Sequence, residues 1–115
     1  MAQNAPTTFT TPGGANLVTT GGALSSLHAT AAAVVKAAPG RLTRLVIIAP
    51  GSTSGAFTLN DCATTGAASA SNTIITIAEG GTAGTVYDLD WPCGVGIVLS
   101  AVPSAGSPII AIAYS

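Results

Sequence analysis

Residues 37–61 read AAPGRLTRLVIIAPGSTSGAFTLND, and they contain the two clearest strand patterns of this 115-residue chain. Pro39–Gly40 is typical of a turn, and the mostly apolar run 42–49 follows it. Pro50–Gly51 ends that run, and Gly55 precedes a second, alternating run. Proline and glycine favour turns and disfavour strand interiors, so they separate strands in this way. The stretch therefore predicts turn, strand, turn, strand.

The run 42–49 is apolar at nearly every position, which predicts a central strand covered on both sides. Successive side chains of a strand point to opposite faces. One face is predicted to carry Leu45, Ile47 and Ala49, and the other Leu42, Arg44, Val46 and Ile48.

Further strand patterns follow over residues 72–78, 85–91 and 95–101 and at the end of the chain. Phe57 and Leu59 are predicted to point inward, and Thr58 and Asn60 outward. In the strand 85–91, one face is predicted to carry Tyr87, Leu89 and Trp91, and the other Val86, Asp88 and Asp90. The strand 95–101 is marked by Val95, Ile97, Leu99 and Ala101, and one face of the last strand by Ile110, Ile112 and Tyr114. Gly96 marks a bulge or a close approach of another backbone. Residues 63–72 are predicted to form a flexible surface loop, and residues 103–108 a turn.

Residues 24–38 fit two structures. A helix is favoured by three features: Ser25–Ser26 could cap it, the alanines up to Ala38 are strong helix formers, and Pro39–Gly40 would end it. A strand is favoured by the β-branched residues Thr30, Val34 and Val35 and by the strand patterns that follow. We predict a strand over about residues 31–38.

Roughly seven or eight short strands separated by Gly/Pro turns predict an all-β fold. We expect a single antiparallel β-sandwich, jelly-roll-like, over residues 24–115, with an immunoglobulin-like sandwich as the alternative. Residues 1–23 have few large apolar side chains, namely Phe9, Leu17 and Val18. They are either a frayed terminus or an extended arm that orders on a neighbouring subunit or folds back as an edge strand. Their lack of charge favours the extended arm.

Charged residues make up 6% of the chain and the net charge is −1, against about 25% charged residues in ordinary soluble proteins. With so few charges and a net charge of −1, the protein has no positive electrostatic field that would attract nucleic acid. Thr, Ser, Asn and Gln could take over part of the role of charged residues at the surface. The other explanation is that some surface is buried in an assembly. No apolar run reaches the roughly 18 residues of a membrane helix, and the start of the chain lacks the pattern of a secretory signal. Synthesis in the cytoplasm is expected, with Cys62 and Cys93 as free, partly buried thiols; a disulfide after release to an oxidising medium stays open.

The titratable residues do not form a recognised catalytic or metal pattern. His28 lies in an Ala/Ser-rich stretch without an acid nearby in sequence. Asp88 and Asp90 share a predicted strand face about 7 Å apart, which is a spacing seen in glycosidases and calcium sites, but a solvated polar face is the simpler interpretation. Residues 79–84 are glycine-rich without the lysine of a phosphate loop. We predict no catalytic residue, cofactor, metal or small-molecule substrate.

Arg41 and Arg44 flank the start of the best strand and are predicted on opposite faces, so they do not form a phosphate fork. Either could pair with Asp61, with Asp88 or with a carboxylate of a neighbouring subunit. They are candidate interaction residues, together with Phe9, Leu17 and Val18 of the arm.

Residues 34–115 resemble small virion proteins of tailed bacteriophages in the order and spacing of several segments. In that group a Pro-Gly-Arg-Leu turn leads a strand, and a Gly-Ile/Val-Val strand follows a Pro-aromatic break; here Cys93 replaces the aromatic residue. The segments that carry the resemblance are VKAAPGRL (35–42), LVII (45–48), GAFTLND (55–61), YDL (87–89), PCGVGI (92–97) and IAIAYS (110–115).

The resemblance implies a non-enzymatic capsid decoration (cement) protein on the virion surface, made in the host cytoplasm. Its implied partners are the major capsid protein and further copies of itself, as a dimer or trimer, with no nucleic acid or membrane involved. A head–tail or tail component is a close alternative. A host-surface or carbohydrate-binding module, and a hydrolase using Asp88 and Asp90, are the alternatives from other classes.

Overall fold

The computed structural model describes residues 25–51 and 54–115. These residues form eight strands and two short 3₁₀ turns, at Thr65–Ala67 and Ala70–Asn72. The strands are β1 (Ser25–Ala29), β2 (Ala33–Lys36), β3 (Gly40–Ala49), β4 (Ala56–Asn60), β5 (Thr73–Ala78), β6 (Val86–Cys93), β7 (Ile97–Ala101) and β8 (Ile109–Tyr114).

The strands form two four-stranded antiparallel sheets that pack face to face. Sheet I has the order β1-β8-β3-β6, and sheet II has the order β2-β7-β4-β5. Eight strands divided between two sheets in this alternating way are the architecture of a jelly roll. The predicted all-β sandwich of jelly-roll type is therefore confirmed, and the immunoglobulin-like alternative is wrong because its strand order differs.

The core lies between the two sheets and is built from aliphatic residues around Phe57. The large side chains there that are fully buried are Leu42, Leu45, Ile47, Phe57, Leu59, Ile97, Leu99, Ile110 and Ile112. Tyr87, Leu89 and Tyr114 pack against this cluster from its edges. The alternation of β4, β8 and most of β3 and β6 thus selects the inward side chains as predicted.

Residues 25–38 contain no helix, and the strand predicted over about 31–38 is present as the shorter β2. The prediction missed β1, which belongs to sheet I, whereas β2 belongs to sheet II; a bend at residues 30–32 connects the two. The alanines here are good helix formers, but pairing of β1 with β8 and of β2 with β7 overrides that weak preference.

Strand β3 is central in its sheet, as predicted, but its two faces differ from the prediction in two ways. The register shifts between Leu42 and Arg44, so Leu42 joins the core and is fully buried. The outer face is not covered by the described residues, since Ile48 is 46% exposed. A bulge of this kind re-aims the side chains beyond it.

Four further side chains depart from the predicted pattern. Asn60 is 2% exposed, whereas Trp91 is 52% and Val95 54% exposed. Ala101, at the end of β7, is exposed as well. Register shifts next to Asn60 and on β6 before Trp91 break the simple alternation. Val95 precedes β7, which begins at Ile97.

Several predicted local features are present. Residues 79–84 form the turn between β5 and β6, and Cys62 and Cys93 are free thiols, both buried. A Cβ on Gly96 would lie 2.4 Å from the Cys62 carbonyl oxygen, so the predicted close approach is confirmed. Two predictions lie outside the described residues. They are the arm 1–23, which contains Phe9, Leu17 and Val18, and the domain boundary at residue 24.

Candidate interaction surface

The outer face of sheet I carries a row of four side chains, one from each strand. The strand register aligns His28 of β1, Ala111 of β8, Val46 of β3 and Val86 of β6. We call these four residues the outer row. With strands about 4.8 Å apart, the row is about 14 Å long. Val86 is 51% exposed, and the neighbouring Ile48 adds a further exposed aliphatic group.

A second row on the same face carries an ion pair. Ser26, Ala113, Arg44 and Asp88 are aligned by the same register. The Arg44 Nε donates to Asp88 Oδ1 at 2.5 Å, and these side chains are 46% and 70% exposed. This confirms one of the partners considered for Arg44. Exposed ion pairs add little stability, so this one mainly provides a polar border to the outer row.

Arg41 lies near the start of β3, and its guanidinium binds the bulged part of β6. Its Nη1 donates to the Asp90 carbonyl oxygen at 3.0 Å and to Asp90 Oδ1 at 3.3 Å. Asp90 has a positive φ of 47°, which aspartate tolerates better than most residues. The two aspartates considered as a catalytic pair therefore each bind a different arginine.

In contrast, residues 61–72 of the same chain cover part of the outer face of sheet II, at β7 and the end of β4. The turn Thr65–Ala67 packs against β7, and Val98, on the outer side of β7, is fully buried. The Asn60 Nδ2 donates to the Ser69 carbonyl oxygen at 3.0 Å and to Asn72 Oδ1 at 2.8 Å. The segment predicted as a flexible loop is thus anchored at the surface by a buried amide.

Asp61 fixes the turn that enters β7. Its carboxylate accepts backbone N–H groups from Gly94 at 3.0 Å, Val95 at 2.8 Å and Gly96 at 3.1 Å. Partial burial raises the pKa of Asp61, but the three hydrogen bonds outweigh it and leave the pKa below its ordinary value of 3.8. Asp61 therefore binds this turn rather than either arginine.

We expect Asp61→Asn to lower the free energy of unfolding by about 1–2 kcal/mol at pH 7, since an amide replaces a charged acceptor. Because the folded pKa is depressed, the stabilisation is present above pH 3.8 and is lost as the pH falls through the lower folded value. Urea unfolding at pH 7 and pH 3 measures both effects. The variant should lose less stability on acidification than the unsubstituted chain.

Asp90→Asn is the matched control, because Asp90 is 69% exposed in a surface ion pair and should contribute little. An Asp61→Asn chain with unchanged stability and unchanged acid dependence would contradict the role given to the Asp61 carboxylate.

The remaining candidate residues do not converge on one site. His28 is exposed in the outer row. The residues that the structure describes form no pocket and no group of three His, Cys, Asp or Glu side chains suited to a metal. Within residues 25–51 and 54–115, no helix is long and apolar enough to span a membrane. Burial raises the pKa of the Cys93 thiol, and the nearby Asp61 charge adds to this.

The sequence interpretation missed the exposure of Val46 and Ile48, whereas Val86 was predicted on the same face as Asp88 and Asp90. The signal was present, because β3 is apolar on both faces, but it was interpreted as burial within one chain. A half-exposed apolar face flanked by charges is equally consistent with a surface that contacts another molecule.

No protein-family model, curated protein or solved structure matches this chain.

Proposed function

We propose that this chain is a non-enzymatic structural protein of a tailed-bacteriophage virion, in particular a capsid decoration protein that stabilises the shell by binding at capsomer junctions. The observation that carries the proposal is the difference between the two sheets. On sheet II, residues 61–72 cover part of the outer face and Val98 is fully buried there, whereas sheet I leaves the outer row and Ile48 accessible.

The composition of the sheet I face suits contact with a protein surface. Aliphatic groups lie in the middle, and the Arg44–Asp88 and Arg41–Asp90 pairs lie along one side. Protein interfaces commonly have an apolar centre and a polar rim. Removing apolar area from water contributes about 25 cal/mol per Å², so docking of this face would stabilise the joined subunits.

The rigidity of the sandwich also supports the proposal. The outer row is displayed by four strands whose opposite face is anchored in the core through Leu45, Ile47, Ile110 and Ile112. A surface of this kind changes shape little on binding. A cement protein needs that property, because it must hold neighbouring capsomers at a fixed spacing.

We expect Val86→Asp to weaken binding to assembled shells by about tenfold or more, because docking would bury an unpaired carboxylate. Co-sedimentation of the protein with shells that lack it measures the affinity. Because Val86 is exposed, we expect the variant to keep its fold, and circular dichroism checks this.

Val34→Asp is the matched control, since Val34 is also a half-exposed valine, at 42%, but lies on β2 of sheet II. It should bind shells with unchanged affinity. Equal losses in the two variants would argue against docking through sheet I, and no binding by the unsubstituted chain would contradict the proposal itself.

A second candidate function rests on Trp91. This side chain is half exposed beside the Arg41–Asp90 pair, and exposed aromatic rings are platforms for sugars. Titration of tryptophan fluorescence with host-surface glycans separates the two functions, because Trp91 is the one tryptophan of the chain. A saturable change would favour a host-surface or carbohydrate-binding module.

A further inference from the structure

The two sheets have four edge strands, and three of them carry features that oppose pairing with another strand. β6 contains Asp88, Asp90 and Pro92 and an irregular register. β2 has four residues, with Lys36 and a register shift. β1 has five residues and a polar sequence, SSLHA. Charges, proline, irregularity and short length are the usual protections of a sheet edge.

β5 lacks these protections. Its six residues read TIITIA, without a charge or a proline, and five of the six are β-branched, which favours strands. Its register with β4 is regular from Ile75 to Ala78. Among residues 25–51 and 54–115, β5 pairs with β4 alone, so its other edge is open there.

The backbone of Thr76 points toward that open edge. The N–H of Glu79 donates to the carbonyl oxygen of Gly55 at 2.9 Å, so these opposed residues form a hydrogen-bonded pair. Hydrogen-bonded and non-bonded pairs alternate along an antiparallel ladder. Ile77 and Ile75 therefore bond to β4, whereas Thr76 and Ala78 direct their N–H groups away from it. The Ala78 carbonyl is already used by the N–H of Gly81 at 3.1 Å.

We propose that β5 pairs antiparallel with β5 of a second copy of this chain, about a two-fold axis at Thr76. Each Thr76 donates its N–H to the carbonyl oxygen of Thr76 of the second copy. The two copies of sheet II then form one continuous sheet of eight strands.

The open edge of β5 is complementary to itself, and this makes a second copy of the chain its partner. An axis at Thr76 places Ile75 opposite Ile77 of the second copy on the core side and Thr76 opposite itself outside. β-branched and threonine pairs of this kind stabilise sheets. Glu79 falls opposite Thr73 of the second copy, so no like charges meet. An axis at Ile75 fails because the Ile75 backbone is already bonded to β4.

This contact goes beyond the proposed function, which places the protein at capsomer junctions and names no contact between copies of the chain. It uses sheet II, whereas docking on the shell is assigned to sheet I. The two surfaces are therefore separable by substitution.

Thr76→Pro tests the pairing directly. Proline is tolerated on an edge strand where the lost N–H faces away from the sheet, so the single chain should keep its fold by circular dichroism. Sedimentation across a concentration series should show a dimer for the unsubstituted chain. The variant should have a dissociation constant raised about tenfold or more, since both central hydrogen bonds are lost. Thr76→Val keeps the N–H and should remain dimeric.

Charged substitutions at Thr76 test the same pairing without proline, in case Thr76→Pro does not fold. Thr76→Lys and Thr76→Glu should each be monomeric, because like charges directly opposite repel, and their mixture should form a one-to-one heterodimer. A monomeric unsubstituted chain, a trimer, a dimer indifferent to Thr76→Pro, or the absence of the heterodimer would each overturn the proposal. A monomeric Thr76→Lys that still binds shells would leave the proposed function intact.

Discussion

Ile47→Ala is expected to lower the free energy of unfolding by about 2–5 kcal/mol, which is the range for removing a large aliphatic side chain from a core. Ile47 is fully buried in the middle of β3, opposite Ile110 of β8. Neighbouring side chains are held by both sheets and cannot close the space left behind. Urea or thermal unfolding of the purified chain measures the loss.

Ile48→Ala is the matched control for that prediction. Ile48 is the next residue on the same strand and has the same side chain, but it is 46% exposed on the outer face. Its truncation should cost well under half of the Ile47→Ala loss. Equal losses would mean that the burial assigned to the two faces of β3 is wrong.

Gly96→Ala is expected to cost about 3 kcal/mol or more, at the upper end of the range for overpacking. A Cβ at this position would lie 2.4 Å from the Cys62 carbonyl oxygen and 2.7 Å from the Lys36 carbonyl oxygen. Both are backbone atoms of neighbouring segments, so neither can rotate away. The displaced backbone would also disturb the hydrogen bond that the N–H of Gly96 donates to the Asp61 carboxylate.

Gly66→Ala is the control, because a Cβ on Gly66 meets no atom within 4 Å. The control should unfold at nearly the same urea concentration as the unsubstituted chain. If Gly96→Ala were as stable as Gly66→Ala, then β7 would not approach residues 36 and 62 as closely as described.

Much of the fold could be predicted from the sequence because its signals are local. Pro50–Gly51 ends β3, the alternation of Phe57 and Leu59 fixes the inward face of β4, and Ile110 and Ile112 do the same for β8. Each of these patterns is determined within a few residues. They are enough to indicate an all-β sandwich with a jelly-roll-like arrangement.

The errors arose where distant strands decide the local structure. Between Leu42 and Arg44 the register shifts against both neighbouring strands, β6 and β8. Asn60 is buried because residues 61–72 fold back over sheet II. Neither effect has a signature within a short window of sequence, so alternation alone assigned Leu42 and Asn60 to the wrong face.

The candidate interaction surface was predictable only in part. Arg41 and Arg44 were identified as interaction residues, and one of the considered partners, Asp88, does bind Arg44. The outer row could not be assembled beforehand, because it joins residues from four strands whose order in sheet I is not readable from composition. Phe9, Leu17 and Val18 remain predictions.

The position of β8 in sheet I has a consequence for how the protein reaches its folded state. β8 contains residues 109–114 and lies between β1 and β3, so the two earlier strands have no common partner until these residues are available. During synthesis, sheet I therefore cannot close until residues 109–114 have left the ribosome. Chains dominated by such long-range pairings fold slowly, in milliseconds to seconds, and their unpaired strands are exposed to aggregation in the meantime.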